Sequence, residues 1–440
     1  MKIKHLVAFT LFLLGIQINF AQEKKLLTLK EAVELAVKNS NQALLANTKV
    51  ATTKLQLETT KNNQYPSLKV SGQYLRLTNA DINSKISMGG SSSSSEPLKV
   101  DQLLLGQANV TMPLFNGFKI KNSIAISENL YKAETFSAVH TKEQLGLQVV
   151  DLFANLHKAQ QMMTLIEDNL KSANQRVKDF TAMEENGLIA RNDLLKAQLQ
   201  VSNIQLSLDN AKKNTSIVNY QLVTLLKLPE NTEIQIDIEA IKKEMLLNQN
   251  AAILGKRSDL QSLQLKKQAS EKGIQVAKGN YFPSLNLVGG YTALDLHNVL
   301  TVTNAINYGI GMSYDLSSIF KNKKEVKLAT SKAKETEQAV AILSDEIKEE
   351  MHQAQENYNL SLKQSLVYDK AVEQTTENYR IVKDKYDNSL STTNDLLDAD
   401  VEQLQAKINQ ALSKADIAQK YYELQYASGK LINSLNITLN

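Results

Sequence analysis

Asn186-Gly187-Leu188-Ile189-Ala190-Arg191-Asn192-Asp193-Leu194-Leu195-Lys196-Ala197 returns 202 residues later as Asn388-Ser389-Leu390-Ser391-Thr392-Thr393-Asn394-Asp395-Leu396-Leu397-Asp398-Ala399. Further on, Tyr220-Gln221-Leu222 meets Tyr422-Glu423-Leu424 at the same offset. An unbroken offset across separate blocks marks an internal duplication rather than a chance likeness of two helical segments. Upstream, Tyr65-Pro66-Ser67-Leu68 is echoed by Phe282-Pro283-Ser284-Leu285 at an offset of 217, as unequal loops between the blocks would produce. Each half reads as helix, strand, loop, strand, long helix, turn, helix.

Around the quoted turn the chain is built for length. The five prolines, at 66, 97, 113, 229 and 283, leave 114–228 and 284–440 free of the residue that interrupts helices. A helix from Phe118 to about Glu185, with Gly146 as its one weak point, would be roughly 100 Å long. Its lower half carries Leu156, Met163, Ile166, Leu170, Ala173, Val177 and Phe180 at steps of three, four and seven. The next helix, about 192–228, repeats a seam from Leu194 through Ala197, Val201, Ile204, Leu208 and Ala211 to Leu222 and Leu225, as a coiled coil requires. In the second half, helices are expected at about 318–387 and 394–432. The seam of the last runs Leu397, Val401, Leu404, Ile408, Ala411, Ala415, Ala418 and Tyr422 in a shifted register. Gly187 suits a helix C-terminus, and Asn192 and Asn394 suit the caps of the helices that follow.

The strands alternate with period two. Leu68, Val70, Gly72 and Tyr74 oppose Lys69, Ser71 and Gln73 (strand about 67–78), and Ala108, Val110, Met112 and Leu114 oppose Gln107, Asn109 and Thr111 (about 103–115). Leu285, Leu287, Gly289 and Tyr291 form one face of a third strand (about 284–294). Ile306, Tyr308, Ile310, Met312, Tyr314 and Leu316 form one face of a fourth (about 305–316). Strands of roughly ten residues with an apolar and a polar face suit a membrane barrel, and equally a small soluble sheet with one buried face. Four strands cannot close a barrel, and lipid forbids an open edge, so a barrel needs several copies of the chain. Gly89-Gly90 and Ser91–Ser95 read as a solvated loop between the first two strands.

Composition narrows the function. Lys2, Lys4 and His5, an apolar run from Leu6 to Ile16 and Ala21 make a secretory signal over residues 1–21. Without cysteine the chain has no disulfide, no thiol chemistry and no lipid anchor on a cysteine. The net charge of +4 includes lysines of the signal, and nothing points to nucleic acid. Histidines 5, 140, 157, 297 and 352 have no metal-ligand spacing, and no phosphate loop or nucleophile motif occurs. No catalytic residue, metal site or cofactor is expected.

In this order and spacing, several motifs resemble the TolC-type outer membrane efflux proteins over essentially the whole mature chain. They are the duplication, the two Pro-Ser-Leu strand starts, Met112-Pro113-Leu114-Phe115-Asn116-Gly117, and the two turns. The resemblance implies a mainly α fold with membrane β structure: a long α-helical coiled-coil barrel joined to a trimeric 12-stranded β-barrel, four strands per protomer. Residues 22–240 would form the first repeat, 229–256 an equatorial segment and 257–440 the second repeat. It further implies a passive exit duct, spanning the outer membrane and extending into the periplasm, that works with a periplasmic adaptor and an inner-membrane pump. Such a duct serves small-molecule efflux or, alternatively, type I protein secretion. Tyr386 and Asp193 match positions whose hydrogen bond helps close the periplasmic tip, and Asp395 and Asp398 match the acids that ring its constriction. Gly187, Leu188, Ser389 and Leu390 match the tips that meet the adaptor. The family's tip arginine falls at Ser391, so the closing network departs from the family pattern. A soluble periplasmic coiled-coil scaffold or adhesion protein is the rival of another class.

Overall fold

The computed structural model describes residues 23–82, 98–236, 256–297 and 299–438. The expected signal, the Gly-Ser loop and residues 237–255 of the expected equatorial segment lie outside them. In chain order the elements are β1 (Glu23–Leu27), α1 (Leu29–Asn39), α2 (Asn41–Asn62), β2 (Ser67–Ile82), β3 (Leu98–Phe115) and α3 (Lys119–Glu185). There follow α4 (Arg191–Leu226), β4 (Thr232–Ile236), α5 (Ser258–Gly279), β5 (Ser284–Leu296), β6 (Leu300–Ser313), α6 (Ser318–Asp387), α7 (Thr393–Ala427) and the short α8 (Leu431–Ser434). The residues group into two compact units. One comprises Met1–Thr48, Ser137–Ser258 and Ser344–Asn440, the other Lys49–Phe136 and Asp259–Leu343.

The first unit is helical, with its main core at one level. Thr28 caps α1 reciprocally with Glu31, and Leu29, Ala32, Val33 and Ala36 then turn inward. They meet Val149, Phe153 and Leu156 of α3, Leu222 and Leu226 of α4, Tyr422 of α7, and Leu431 and Ile432 of α8. Gly146 is less a weak point than a fitting point. A Cβ there would come within 3.3 Å of Leu431 and Ile432 side chains, so glycine lets α8 seat against α3.

Two short strands escape the periodicity reading. β1 pairs with β4 in parallel, Glu23 with Thr232 through Leu27 with Ile236. Leu27 and Ile234 plug the core. The other edge of β4 is satisfied by side chains. Asn219 accepts from Ile234 N–H at 2.9 Å and donates to Thr232 C=O at 2.8 Å, and Gln160 donates to Ile234 C=O at 2.8 Å. An exposed strand edge is thereby removed.

The second unit holds one antiparallel sheet in the order β2-β3-β5-β6. Its strands are longer at the far end than alternation indicates. β2 and β3 extend to Ile82 and back to Leu98, and β6 begins at Leu300 and stops at Ser313, short of Tyr314 and Leu316. Asp315 ends that strand because its carboxylate accepts from the N–H and hydroxyl of Ser317, forming the turn into α6.

Candidate functional site: a bare strand face and two helical tips

Register decides which strand residues share a face. Leu68 stands opposite Val110, Val70 opposite Ala108 and Tyr74 opposite Leu104. Val110 continues to Gly289 and Ala108 to Tyr291, which meet Tyr308 and Ile306 respectively. Paired residues point the same way, so a mainly apolar face runs across all four strands, up to the far end where Leu104 meets Asp295 and Asp295 meets Thr301. Among the described residues no helix packs on it, and Tyr308 is 89% and Val70 78% exposed. The reverse face carries Lys69, Ser71 and Gln73, Asn109, Thr292 and Asn307. The sheet thus has one mainly apolar and one mainly polar face. Among the described residues both outer strands, β2 and β6, keep an edge without a partner.

The tips repeat each other atom for atom in several bonds. After α3, Gly187 adopts φ +71° and donates to Glu184 C=O, while Leu188 N–H reaches Met183 C=O at 2.8 Å. After α6, Ser389 at φ +60° donates to Tyr386 C=O, and Leu390 N–H reaches Lys385 C=O at 2.8 Å. Asn186 and Asn388 each return their amide to the carbonyl four residues earlier at 2.7 Å. These are helix-ending motifs with a left-handed residue. They leave Leu188 (71%) and Leu390 (77%) projecting into solvent.

The helices that follow are capped differently from expectation. The N-cap residues are Ala190 and Thr392, two positions before Asn192 and Asn394. Thr392 wins because Asp395 lies three residues on and completes a capping box, whereas Ala190 has no side chain to cap with. The Asp395 carboxylate accepts from Thr392 N–H (2.8 Å), the Thr392 hydroxyl (2.7 Å) and the Ser391 hydroxyl (3.0 Å). The Thr392 backbone and hydroxyl, then Ser391, hold its pKa below the usual carboxylate value. Ser391 is thus not idle where the family has arginine, since it donates to the Asp395 carboxylate itself. Asp398 is exposed on the next turn.

The expected bond between Tyr386 and Asp193 is not made. The Tyr386 hydroxyl is buried without a partner, and its ring lies on Phe180 with centroids 5.8 Å apart and planes 27° apart. Asp193 instead lies 3.6 Å from Lys196. Packing outweighs the hydrogen bond because Tyr386 is drawn into the apolar cluster of Phe180, Leu194, Ala197 and Leu396. Both residues still line one open groove of about 1030 Å³ at the tips.

A polar layer above this cluster has no counterpart in the sequence reading. Arg176 of α3 meets Asp400 of α7 at 3.1 Å, the side chains being 10% and 6% exposed. The same carboxylate oxygen accepts from Asn169 at 3.3 Å and Gln200 at 3.5 Å, and Arg176 also donates to the Tyr379 hydroxyl at 3.3 Å. Burial alone would lower the pKa of Arg176, but the bonds and charges of Asp400 and Tyr379 together raise it, so the guanidinium stays charged. The layer joins α3, α4, α6 and α7 and separates the Phe180 cluster from the Ile166, Ala173, Ile204, Leu208 and Ile408 cluster. It also corrects the α7 seam. Leu396, Ala399 and Asp400 face inward and Val401 is exposed, because Arg176 draws Asp400 into the position an apolar residue was expected to hold. The available signal was scarcity: Arg176 is the lone arginine of α3 in a chain with 50 lysines and arginines.

Known proteins resolve what this architecture is. The model of the outer membrane efflux protein family matches residues 32–226 and 251–430, nearly all of the chain in its two halves. The chain belongs to the outer membrane efflux protein family. Its fold is similar to three solved channels. That of VceC from Vibrio cholerae is 13% identical, covering 94% of this chain and 97% of its own, with a TM-score of 0.74. The CmeC outer membrane channel of Campylobacter jejuni is 18% identical, covering 92% and 86%, TM-score 0.74. The open state of the MtrE outer membrane channel of Neisseria gonorrhoeae is 15% identical, covering 92% and 89%, TM-score 0.73. No curated protein matches in sequence. The TolC-like fold is therefore established, and as an outer membrane efflux protein this chain is a channel component rather than an enzyme. Among the described residues no helix is long and apolar enough to cross a membrane, and no cluster of His, Asp and Glu could hold a metal.

Proposed function

We propose that three copies of this outer membrane efflux protein close one 12-stranded barrel in the outer membrane and continue as a helical tunnel into the periplasm. The observation that carries this reading is the apolar strand face, bare over all four strands and bounded by two open edges. A soluble sheet would cover it, whereas lipid outside and neighbouring strands at both edges satisfy it completely. The closed tip is governed by Asp193, Tyr386, Asp395 and Asp398. Asp395 and Asp398, repeated by threefold symmetry, make a six-carboxylate ring that favours cations. Gly187, Leu188, Ser389 and Leu390 present the surface that meets a periplasmic adaptor, and the projecting leucines support that role. An inner-membrane pump drives transport of small molecules through the duct, while type I protein secretion is the second reading. The test is conductance of the purified protein in a planar bilayer. Discrete, long-lived, cation-selective steps are expected; a protein that stays soluble without detergent and never inserts would restore the soluble scaffold.

A further inference from the structure

The end of the sheet that joins the helices is electrically one-sided. Strand register brings the start of β2 and β5 beside the ends of β3 and β6, so the end of α2, the start of α3, the end of α5 and the start of α6 all meet there. Hydrogen bonds weld three of these ends. Lys119 donates to the Asn280 Oδ1 at 3.1 Å, Asn280 donates to Glu325 at 3.1 Å, and Asn322 donates to Ala277 C=O at 2.9 Å. Gly117 and Gly279 allow the closest approach, since a Cβ on Gly117 would lie 2.2 Å from the Gly279 carbonyl oxygen.

On this welded end α6 carries Lys321, Lys323, Lys324 and Lys327, with Lys332 and Lys334 beyond, and only Glu325 of opposite sign between Lys321 and Lys334. That glutamate is already engaged by Asn280. α3 opens with Lys119 and Lys121, and its first acid is Glu128. Lys121, Lys323, Lys324 and Lys327 are exposed and, among the described residues, make no ion pair within 4 Å. Exposed aromatics adjoin them. Phe118 packs edge-on to Phe115, which meets Phe282, and Phe320 is 84% exposed one residue before Lys321. Lys321 to Lys327 lie within about 14 Å of the helix start at 1.5 Å per residue, which is headgroup depth plus the reach of a screened charge.

We infer that this end is a lysine collar that binds the phosphate headgroups of anionic phospholipid in the leaflet facing the helices. The aromatic ring marks the depth at which amphipathic side chains rest, and the lysines just past it meet the phosphates. A solvated charge run would carry both signs evenly around the helix. This one has four lysines against Glu325, held by Asn280, and Asp315 at the turn before it, held by Ser317 and beside Lys321, and it abuts the bare apolar strand face. The collar rests on the membrane-barrel reading above, and one experiment separates the two.

The full-length protein is reconstituted into phosphatidylcholine vesicles holding traces of spin-labelled phosphatidylglycerol or spin-labelled phosphatidylcholine. The motionally restricted fraction of each label is then read by electron spin resonance. At low salt the anionic label is expected to be enriched at the protein about two- to fivefold, given the attraction of each near-surface lysine. Lys321→Gln with Lys323→Gln, Lys324→Gln and Lys327→Gln should abolish that preference. A control replacing Lys348, Lys363, Lys370 and Lys414 with glutamine should keep it. Equal restriction of both labels by the wild type, or a preference that survives the collar variant or falls equally in the control, overturns the collar while the barrel stands. A protein that restricts neither label has not entered the bilayer, and both readings fall.

Discussion

Removing Asp400 should loosen the helical tip far more than an exposed acid would. In Asp400→Ala the Arg176 guanidinium stays buried, and the partners left to it are the Tyr379 hydroxyl at 3.3 Å and Gln200 Oε1 at 3.5 Å. Breaking a buried pair by deleting one partner costs about 3–5 kcal/mol, most of it the desolvated charge left behind. Arg176→Met should cost less, because Asp400 keeps the amides of Asn169 and Gln200. Replacing both, Arg176→Met with Asp400→Leu, should be near neutral, since an apolar layer would then join the clusters above and below. With Asp400→Leu made as the matching single, Arg176→Met, Asp400→Leu and their double form a cycle with a coupling of about 3 kcal/mol. The assay is amide hydrogen exchange by mass spectrometry on the purified protein, read at 169–180 and 396–404. At 1.36 kcal/mol per decade, Asp400→Ala should speed exchange there by about a hundredfold or more. A change below about fivefold, or a double variant equal to the sum of the singles, would refute the claim that this layer clamps the four helices.

Tyr386→Phe should leave the tip as stable or make it more so, because it removes a buried hydroxyl with no partner, an unmade bond that costs about 1–3 kcal/mol. Faster exchange at 177–194 in that variant would show that the hydroxyl is bonded after all. Thr392→Ala should fray the first turn of α7, raising amide exchange there about fivefold. Because Asp395 is more acidic folded than its ordinary 3.8, its contribution is complete above that value and is lost as pH falls through the folded one. Wild-type exchange should thus approach that of Thr392→Ala only in acid. Asp151 runs the other way, since burial raises its pKa despite the Gln419 amide at 2.9 Å. Its contribution is complete below the unfolded value and lost as pH rises through the folded one, so Asp151→Asn should raise the melting temperature at neutral pH and leave it unchanged near pH 3. Asp395→Ala with Asp398→Ala should reduce cation preference in bilayer recordings; an unchanged reversal potential would exclude the carboxylate ring.

The duplication, the long helices and the alternating strands were open to reading because each rests on a repeated local pattern. What stayed hidden depended on partners distant in sequence. Nothing near Asp400 in the sequence gives a reason to bury it; Arg176, 224 residues away, does, and the α7 seam shifts with it. β1 and β4 have five residues each, too few for a period to declare itself. Ala190 caps α4 without any capping chemistry, so the motif at Asn192 drew the eye instead. The Tyr386–Asp193 bond came with the family resemblance, and stacking on Phe180 displaced it.

The parallel pairing of β1 with β4 also has a kinetic side. Glu23–Leu27 is made early and finds its partner, Thr232–Ile236, only after some two hundred further residues have followed. Until then Leu27 has no Ile234 beside it and the strand no ladder. Contacts so distant in sequence form late and slow the search. β1 is thus an unsatisfied strand for about half of the chain's emergence, which makes it a natural handle for a holding chaperone.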